Sequence, residues 1–369
     1  MTAVAARRHL ERLAATPRPA GSPAEASARR YCTEILEGLG FAVSEEHFAY
    51  SAAPGRWATP VAGVASVVML GTAAYFGRNA DGARAMITIA VGLLIGVPLR
   101  AWVARHGVLD LPFSRMRGIN LRATRGRVPP SVWLVAHLDS KSQPVPTAAR
   151  AAGMVALALA WVAAATLATA QALGADVSAA WIWIFIAGAL AAIPVAASVV
   201  GTHSPGALDN ASGVATVLEA VAGLEPRDTV GVLLTSGEEL GLAGARAVAR
   251  AHPGGTALNC DGVDDRGALV CMHSGRRCRS RSVAALEAAA AEVGVAITVR
   301  GLVPGLITDA EALHAAGWDC ATLSRGSWST LARVHRPHDD LGHLTGSGVR
   351  EAALVLAAAV RQLRPDFQP

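Results

Sequence analysis

Four stretches of this chain contain no Asp, Glu, Lys or Arg: residues 58–77, 85–99, 151–175 and 177–202, of 20, 15, 25 and 26 residues. A helix needs about 20 apolar residues to cross a bilayer, where every backbone N–H and C=O must be satisfied within the segment. Two stretches exceed that length and one reaches it. The second is carried past Arg100 by Ala101, Trp102, Val103 and Ala104, with an Arg that can snorkel. Trp102, Trp161, Trp181 and Trp183 suit a membrane interface, and the many Ala and Gly residues suit close helix packing in lipid. The pattern predicts four transmembrane helices in two hairpins, 58–104 and 151–202. Residues 1–57, 105–150 and 203–369 then form one domain of ordinary charge density.

With 52% apolar and 17% charged residues, the chain is excluded from the disordered and low-complexity classes. The net charge is +5, and of 33 basic residues only Lys141 is not Arg. The cluster Arg276, Arg277, Arg279 and Arg281 reads as a solvated loop. Aromatic and basic residues are not interleaved, so no nucleic-acid partner is expected. Cys32, Cys260, Cys271, Cys278 and Cys320 are odd in number and form no CxxC pair, which suits buried thiols in a reducing compartment. Arg7, Arg8, Glu11 and Arg12 interrupt the N-terminus, so no signal peptide is expected there.

Between the hairpins and after them, apolar periodicity alternates between 3.6 and 2. Residues 24–39 read as a helix with Tyr31, Ile35 and Leu39 on one face, and 41–50, 119–123 and 132–136 as strands. Beyond 202 the order is helix 213–224, strand 229–235, helix 240–251, strands 256–260 and 268–272, and helix 280–293. Strand 296–300, helix 309–316, strand 320–324 and helix 347–363 follow. This predicts an α/β fold: a mixed, mostly parallel central sheet with helices on both faces. Ligands of such sheets gather beyond the strand ends.

Residues that a metal would bind stand at those ends. The strand 132–136 leads into His137, with Asp139 two positions on; 230–235 leads toward Glu238 and Glu239; 257–260 leads into Asp261. Asp209, in Asp209-Asn210-Ala211-Ser212-Gly213, and His335, in His335-Arg336-Pro337-His338-Asp339-Asp340, complete the group. Each alone is commonly a solvated or satisfied polar residue. Together, two His with three carboxylates and a spare carboxylate make the inventory of a two-zinc site.

On these residues the chain resembles the co-catalytic zinc exopeptidases, which include bacterial leucyl-aminopeptidases, glutamate carboxypeptidases and glutaminyl cyclases (peptidase family M28). The likeness covers most of 5–50 and 118–365 apart from the second apolar pair. It includes Pro17-Arg18-Pro19-Ala20-Gly21-Ser22-Pro23 followed by Ala28-Arg29-Arg30-Tyr31, and Gly40-Phe41-Ala42-Val43. The resemblance implies two zinc ions, with His137 and Asp261 on the first, Asp209 bridging, and Glu239 and His335 on the second. It implies Glu238 as general base, and Asp139 as the carboxylate that accepts the free N–H of His137. His335 is preferred over His338 because the family pattern of His, three residues, then Asp-x-Leu matches His335, Asp339 and Leu341.

Two departures stand out: Leu208 where many relatives carry an acidic residue, and the two apolar hairpins, which read as insertions. The implied function is a membrane-anchored zinc aminopeptidase acting on a peptide or aminoacyl substrate. The run His137-Leu138-Asp139-Ser140-Lys141 is also similar to glutaminyl cyclases, acyltransferases that work with one zinc, and a catalytically inactive receptor or scaffold is the third alternative. The lipid bilayer is the expected partner, and the hairpins can also mediate a homodimer. His203 and His343 read as loop or surface residues, His273 and Trp328 as pocket or packing residues, and Asp309 as orienting a backbone amide or capping the helix it begins.

A bacterial cell membrane is the expected location. Because each hairpin returns to one domain, 1–50, 105–148 and 203–369 must share a side. Near the helix ends that side carries Arg56, Arg100, Arg105, Arg115, Arg117, Arg122, Lys141 and Arg150, against Arg78 and Arg84 opposite, which predicts the cytoplasmic side.

Overall fold

A computed structural model describes residues 3–126, 129–226, 228–252, 254–274, 280–302 and 307–363. Arg276, Arg277, Cys278 and Arg279 lie outside the described residues. In chain order the helices and strands are α1 (Ala3–Leu13), α2 (Pro23–Gly38), β1 (Ala42–Ser51), α3 (Ala53–Arg78), α4 (Gly82–Trp102), α5 (Val108–Asp110), β2 (Arg115–Arg125) and β3 (Val132–His137). Next come α6 (Thr147–Ala172), α7 (Ala180–Ala196), α8 (Gly213–Ala222), β4 (Val230–Thr235), α9 (Ala243–Ala251), β5 (Thr256–Val263) and β6 (Ala268–His273). The chain closes with α10 (Arg281–Val293), β7 (Ile297–Gly301), α11 (Asp309–Ala315), β8 (Asp319–Gly326), α12 (Trp328–Arg333) and α13 (Ser347–Gln362). These elements divide into two compact units, Met1–Tyr50 with Arg115–Ser142 and Gly201–Pro369, and Ser51–Ser114 with Gln143–Val200.

The first unit holds the predicted mixed sheet, eight strands in the order β1-β2-β4-β3-β5-β8-β6-β7. β3 runs parallel to both β4 and β5, β5 parallel to β8, and β6 parallel to β7. β2 on β4 and β6 on β8 are antiparallel. Every residue of β3 and β4 is buried, as in parallel strands covered on both faces. Strand alternation then assigns side chains to two layers. Leu134, Val232 and Leu258 pack with Val217 and Leu356 from α8 and α13, while Trp133, Val135, Leu233 and Ala257 pack with Ala245 and Leu313 from α9 and α11. The register pairs Ala136 with Leu234, His137 with Thr235, and Val135 with Asn259. The C-terminal ends of β3, β4 and β5 therefore meet at one edge of the sheet.

Ser142 and Gly201, the residues at which the second insertion leaves and rejoins this unit, exchange two backbone hydrogen bonds of 3.0 and 2.7 Å.

In the second unit α3 and α6 have 26 residues each, and α4 continues through a π-helical turn at Val103–Gly107 into α5. Three helices are long and apolar enough to cross a membrane: Ala53–Arg78, Gly82–Asp110 and Thr147–Ala172. The expectation of four is corrected here, because α7 has only 17 residues. A count of uncharged residues cannot see its ends. Ser178 N–H turns back to Asp176 at 3.3 Å before the helix starts, and Ser198 Oγ donates to the Pro194 carbonyl at 2.7 Å where it stops.

Gln171 ties the helices together, donating to the Gly77 carbonyl at 2.7 Å and accepting from Trp181 Nε1 at 2.9 Å. Leu93, Leu94, Ile95, Val97 and Leu99 of α4 are exposed, a run of large apolar side chains of the kind that marks an interaction or membrane-facing surface.

Candidate metal centre

Each predicted ligand is delivered by a backbone feature at the shared sheet edge. His137 is the last residue of β3, and its Nδ1 donates to the Asp139 carbonyl at 3.0 Å. That bond fixes the proton on Nδ1 and turns the Nε2 lone pair inward. The structure thereby alters the expected role of Asp139. Its carbonyl orients His137, whereas its carboxylate accepts the backbone N–H groups of Glu238 and Glu239 at 3.1 and 3.2 Å. The carboxylate itself stays 3.7 Å from His137 Nδ1.

Glu238 and Glu239 form one 3₁₀ turn after β4, entered through Gly237 at φ +72°. Only glycine takes that conformation without strain, and the Tyr50 ring lies 3.2 Å from where a Cβ would stand.

Asp209 sits on an irregular turn, Ala207–Ser212, that precedes α8. Asp339 holds this turn through the N–H groups of Leu208 (2.6 Å) and Asp209 (3.2 Å). Asn210 binds the Cys260 carbonyl at 2.9 Å, and Ser212 Oγ accepts from Val263 N–H at 2.8 Å, so the turn is bonded to the strand that carries Asp261. His335 follows α12 with φ +63°, a left-handed conformation that costs a side-chain-bearing residue on the order of 1–3 kcal/mol and collects at functional sites.

These elements bring together two groups whose ligand atoms lie within 4.8 Å of one another: His137, Glu238 and Asp261, and Asp209, Glu239 and His335. Asp209 joins them. Its Oδ1 is 3.0 Å from His137 Nε2 and its Oδ2 2.9 Å from His335 Nε2. Asp261 Oδ1 and Glu238 Oε2 stand 3.8 and 3.9 Å from His137 Nε2, and Glu239 Oε1 is 3.3 Å from His335 Nε2. Lys141 Nζ contacts the other oxygen of Glu239 at 2.6 Å. His335 is buried in this cluster while His338 is exposed.

The donor set fits a metal. Three of its buried atoms, His137 Nε2, Glu239 Oε1 and His335 Nδ1, have no hydrogen-bond partner of proper geometry among the described residues. Polar atoms buried without partners cost on the order of 1–3 kcal/mol each, and charges so enclosed demand pairing or coordination. The electrostatics point the same way. Burial opposes charging His137, yet Glu238, Asp209 and Asp261 outweigh it and hold the imidazole well above its usual range. Burial likewise works against Asp209, but His137 and His335 draw its carboxyl well below the usual value. Glu238 moves the other way: burial, with Glu239, Asp261 and Asp309 adding to it against His137, raises it well above the carboxylate range. Burial pushes Asp139, Asp309 and Asp339 up to about 7.

Three residues do more than the sequence assigned to them. Arg18, fully buried, donates to the carbonyls of Leu138 (3.0 Å), Pro205 (2.6 Å) and Gly206 (3.0 Å), clamping the loops that carry His137 and Asp209. In the sequence it is only one charge of the run Pro17-Arg18-Pro19-Ala20-Gly21-Ser22-Pro23, with nothing to show what it binds. Asp309 does begin α11, but its carboxylate contacts Thr235 Oγ1 at the end of β4 rather than the helix's own amides. Lys141 stood out in the sequence as the one lysine and as the end of the run His137-Leu138-Asp139-Ser140-Lys141, but its contact with Glu239 did not.

Residues 194–360 match the sequence profile of peptidase family M28. This part of the chain is similar to that family. No protein of curated function matches the sequence. The fold is similar to that of an aminopeptidase from Aneurinibacillus sp. strain AM-1 (TM-score 0.57, 16% identity, 98% of this chain and 93% of that one). It is also similar to a zinc aminopeptidase from Bacillus subtilis (0.57, 15%, 97% and 94%). A glutaminyl cyclase from Fimbriiglobus ruber matches as well (0.57, 15%, 98% and 96%). The M28 segment contains Asp209, Glu238, Glu239, Asp261 and His335, while His137 and Asp139 precede it, across the second insertion.

Proposed function

We propose that the chain is a membrane-anchored zinc metallopeptidase of the aminopeptidase type, removing N-terminal residues from peptides or aminoacyl substrates. The observation that carries this reading is Asp209, whose two oxygens face one imidazole from each half of the centre at 3.0 and 2.9 Å. Asp209 would be the carboxylate shared by two zinc ions. His137 and Asp261 would hold one ion, Glu239 and His335 the other. When bound, zinc lowers the pKa of a coordinated water toward neutrality and polarises a carbonyl.

Glu238 is the general base. Among the described residues no Lys or Arg neutralises it, and burial first, then its acidic neighbours, raise its affinity for a proton. A carboxylate tuned upward takes a proton from water and returns it to the leaving amine near neutral pH. Asp139 supports this by fixing the backbone of Glu238 and Glu239 together, which leaves their side chains free for different tasks.

A panel of fluorogenic aminoacyl substrates on detergent-purified protein, with zinc measured on the same sample, tests the reading. Amine release by protein carrying two zinc ions supports it; metal-free protein that turns over nothing on zinc addition refutes it.

A second reading, a one-zinc acyltransferase of the glutaminyl cyclase kind, is favoured by Lys141 against Glu239. Cyclisation of an N-terminal glutaminyl peptide with loss of ammonia would mark it. The bilayer anchors the chain, with the peptidase unit on the cytoplasmic side of a bacterial cell membrane. A phosphatase active when fused to the C-terminus would place that unit outside instead.

A further inference from the structure

The chain uses Arg for 32 of its 33 basic residues, and its single lysine is Lys141. That ammonium lies 2.6 Å from Glu239 Oε2, with side-chain exposures of 14% and 3% for the two residues. An ammonium is a compact point charge, whereas a guanidinium is a broad fork that takes both oxygens of a carboxylate. Lys141 therefore occupies one oxygen of Glu239 and leaves Oε1, the atom without a hydrogen-bond partner, facing His335. Glu238 and Asp261 have no such partner: among the described residues neither lies against a Lys or Arg. Among the described residues Lys141 is thus the one Lys or Arg in direct contact with any of Asp209, Glu238, Glu239 and Asp261, with Arg18 acting on Asp209 from farther away.

We propose that Lys141 sets how many metal ions the centre holds. The inference rests on the metal-centre reading above and deepens it. The first dication meets four carboxylates and one ammonium. The second meets carboxylates already partly neutralised by the first ion and by Lys141, and it competes with the ammonium for Glu239. Removing a positive charge this close to a dication's ligands strengthens binding of the weaker ion by about tenfold or more, even at the dielectric of water. Lys141 separates the two affinities, so that limiting metal gives a one-ion form and abundant metal a two-ion form.

The test is a cobalt titration of the full-length protein in detergent, read by visible absorption and by calorimetry, for wild type, Lys141→Gln and Lys141→Arg. Circular dichroism verifies that each variant is folded. Wild type should bind in two separated steps. Lys141→Gln should tighten the weaker step by tenfold or more, and Lys141→Arg, which keeps the charge, should leave that step as weak as in wild type or weaker. Equal weaker steps in wild type and Lys141→Gln would overturn this inference alone. A tightened step in Lys141→Arg would also overturn it, because charge would then not be the cause. No cobalt band in any of the three proteins would overturn the metal-centre reading and this inference with it.

Discussion

Replacing Glu238 with Gln should lower activity and raise the stability of the metal-free protein. Gln has the shape and volume of Glu but accepts no proton, so the turn Glu238–Leu240 and its bonds to Asp139 remain. Loss of a general base typically lowers the rate by ~10²–10⁴-fold, which corresponds to about 3–5 kcal/mol of transition-state stabilisation at 1.36 kcal/mol per decade. The stability change has the opposite sign. Burial, reinforced by Glu239, Asp261 and Asp309, holds the Glu238 carboxyl well above its ordinary 4.5. The folded state therefore keeps a proton that the unfolded chain gives up, and stability drains away as pH rises above 4.5. Gln carries no charge and escapes that loss. Differential scanning of apo protein should show the variant melting higher than wild type at pH 7.5 and level with it at pH 4. Each 1 kcal/mol appears as roughly 2–4 °C in a unit of this size. A variant within threefold of wild-type kcat, or one that melts lower at pH 7.5, would refute the reasoning.

Changing His335 or His137 to Ala removes one nitrogen ligand from a different half of the centre, and each should lower metal content by about one ion, measured by plasma mass spectrometry after dialysis. Asp309→Asn keeps the contact with Thr235 but cannot ionise. Burial raises Asp309 from 3.8 to about 7, so its contribution to apo stability is complete below pH 3.8 and lost as pH rises toward 7, by as much as about 4 kcal/mol. The variant's denaturation midpoint should be flatter than wild type across that range. Gly213→Ala would drive a Cβ into Asn210 Oδ1 and the Cys260 carbonyl. Overpacking of this kind costs about 1–3 kcal/mol and should lower both the melting temperature and metal retention, because Asn210 adjoins Asp209.

The sheet was legible because its central strands are mostly apolar and run into chemistry-bearing residues, at His137, near Glu238 and at Asp261. Such a pattern has few alternatives once strands alternate with helices. The ligand set could be proposed from residue types; what could not be read was who holds whom. Asp139 lies two positions from His137 and looks like its carboxylate partner, yet the nearby atom is its carbonyl. The carboxylate's own partners are almost a hundred positions away, a separation that only the pairing of β3 with β4 closes. Arg18 and Asp339 were equally hidden, since each acts on backbone groups, which carry no residue identity. The fourth apolar stretch misled for a simpler reason: hydropathy counts residues, while a helix is ended by its turns and caps.

The threading of the chain sets a schedule for its synthesis. His137 and the whole of β3 leave the ribosome before the second insertion, whereas β4, β5 and every other metal ligand follow it. At ~5–20 residues per second, seconds pass in which His137 exists without any of its partners. β3 meanwhile has neither of the strands between which it lies. The Ser142–Gly201 bridge can close only when both helices between them have been made. The centre is thus assembled last, after both insertions have been made.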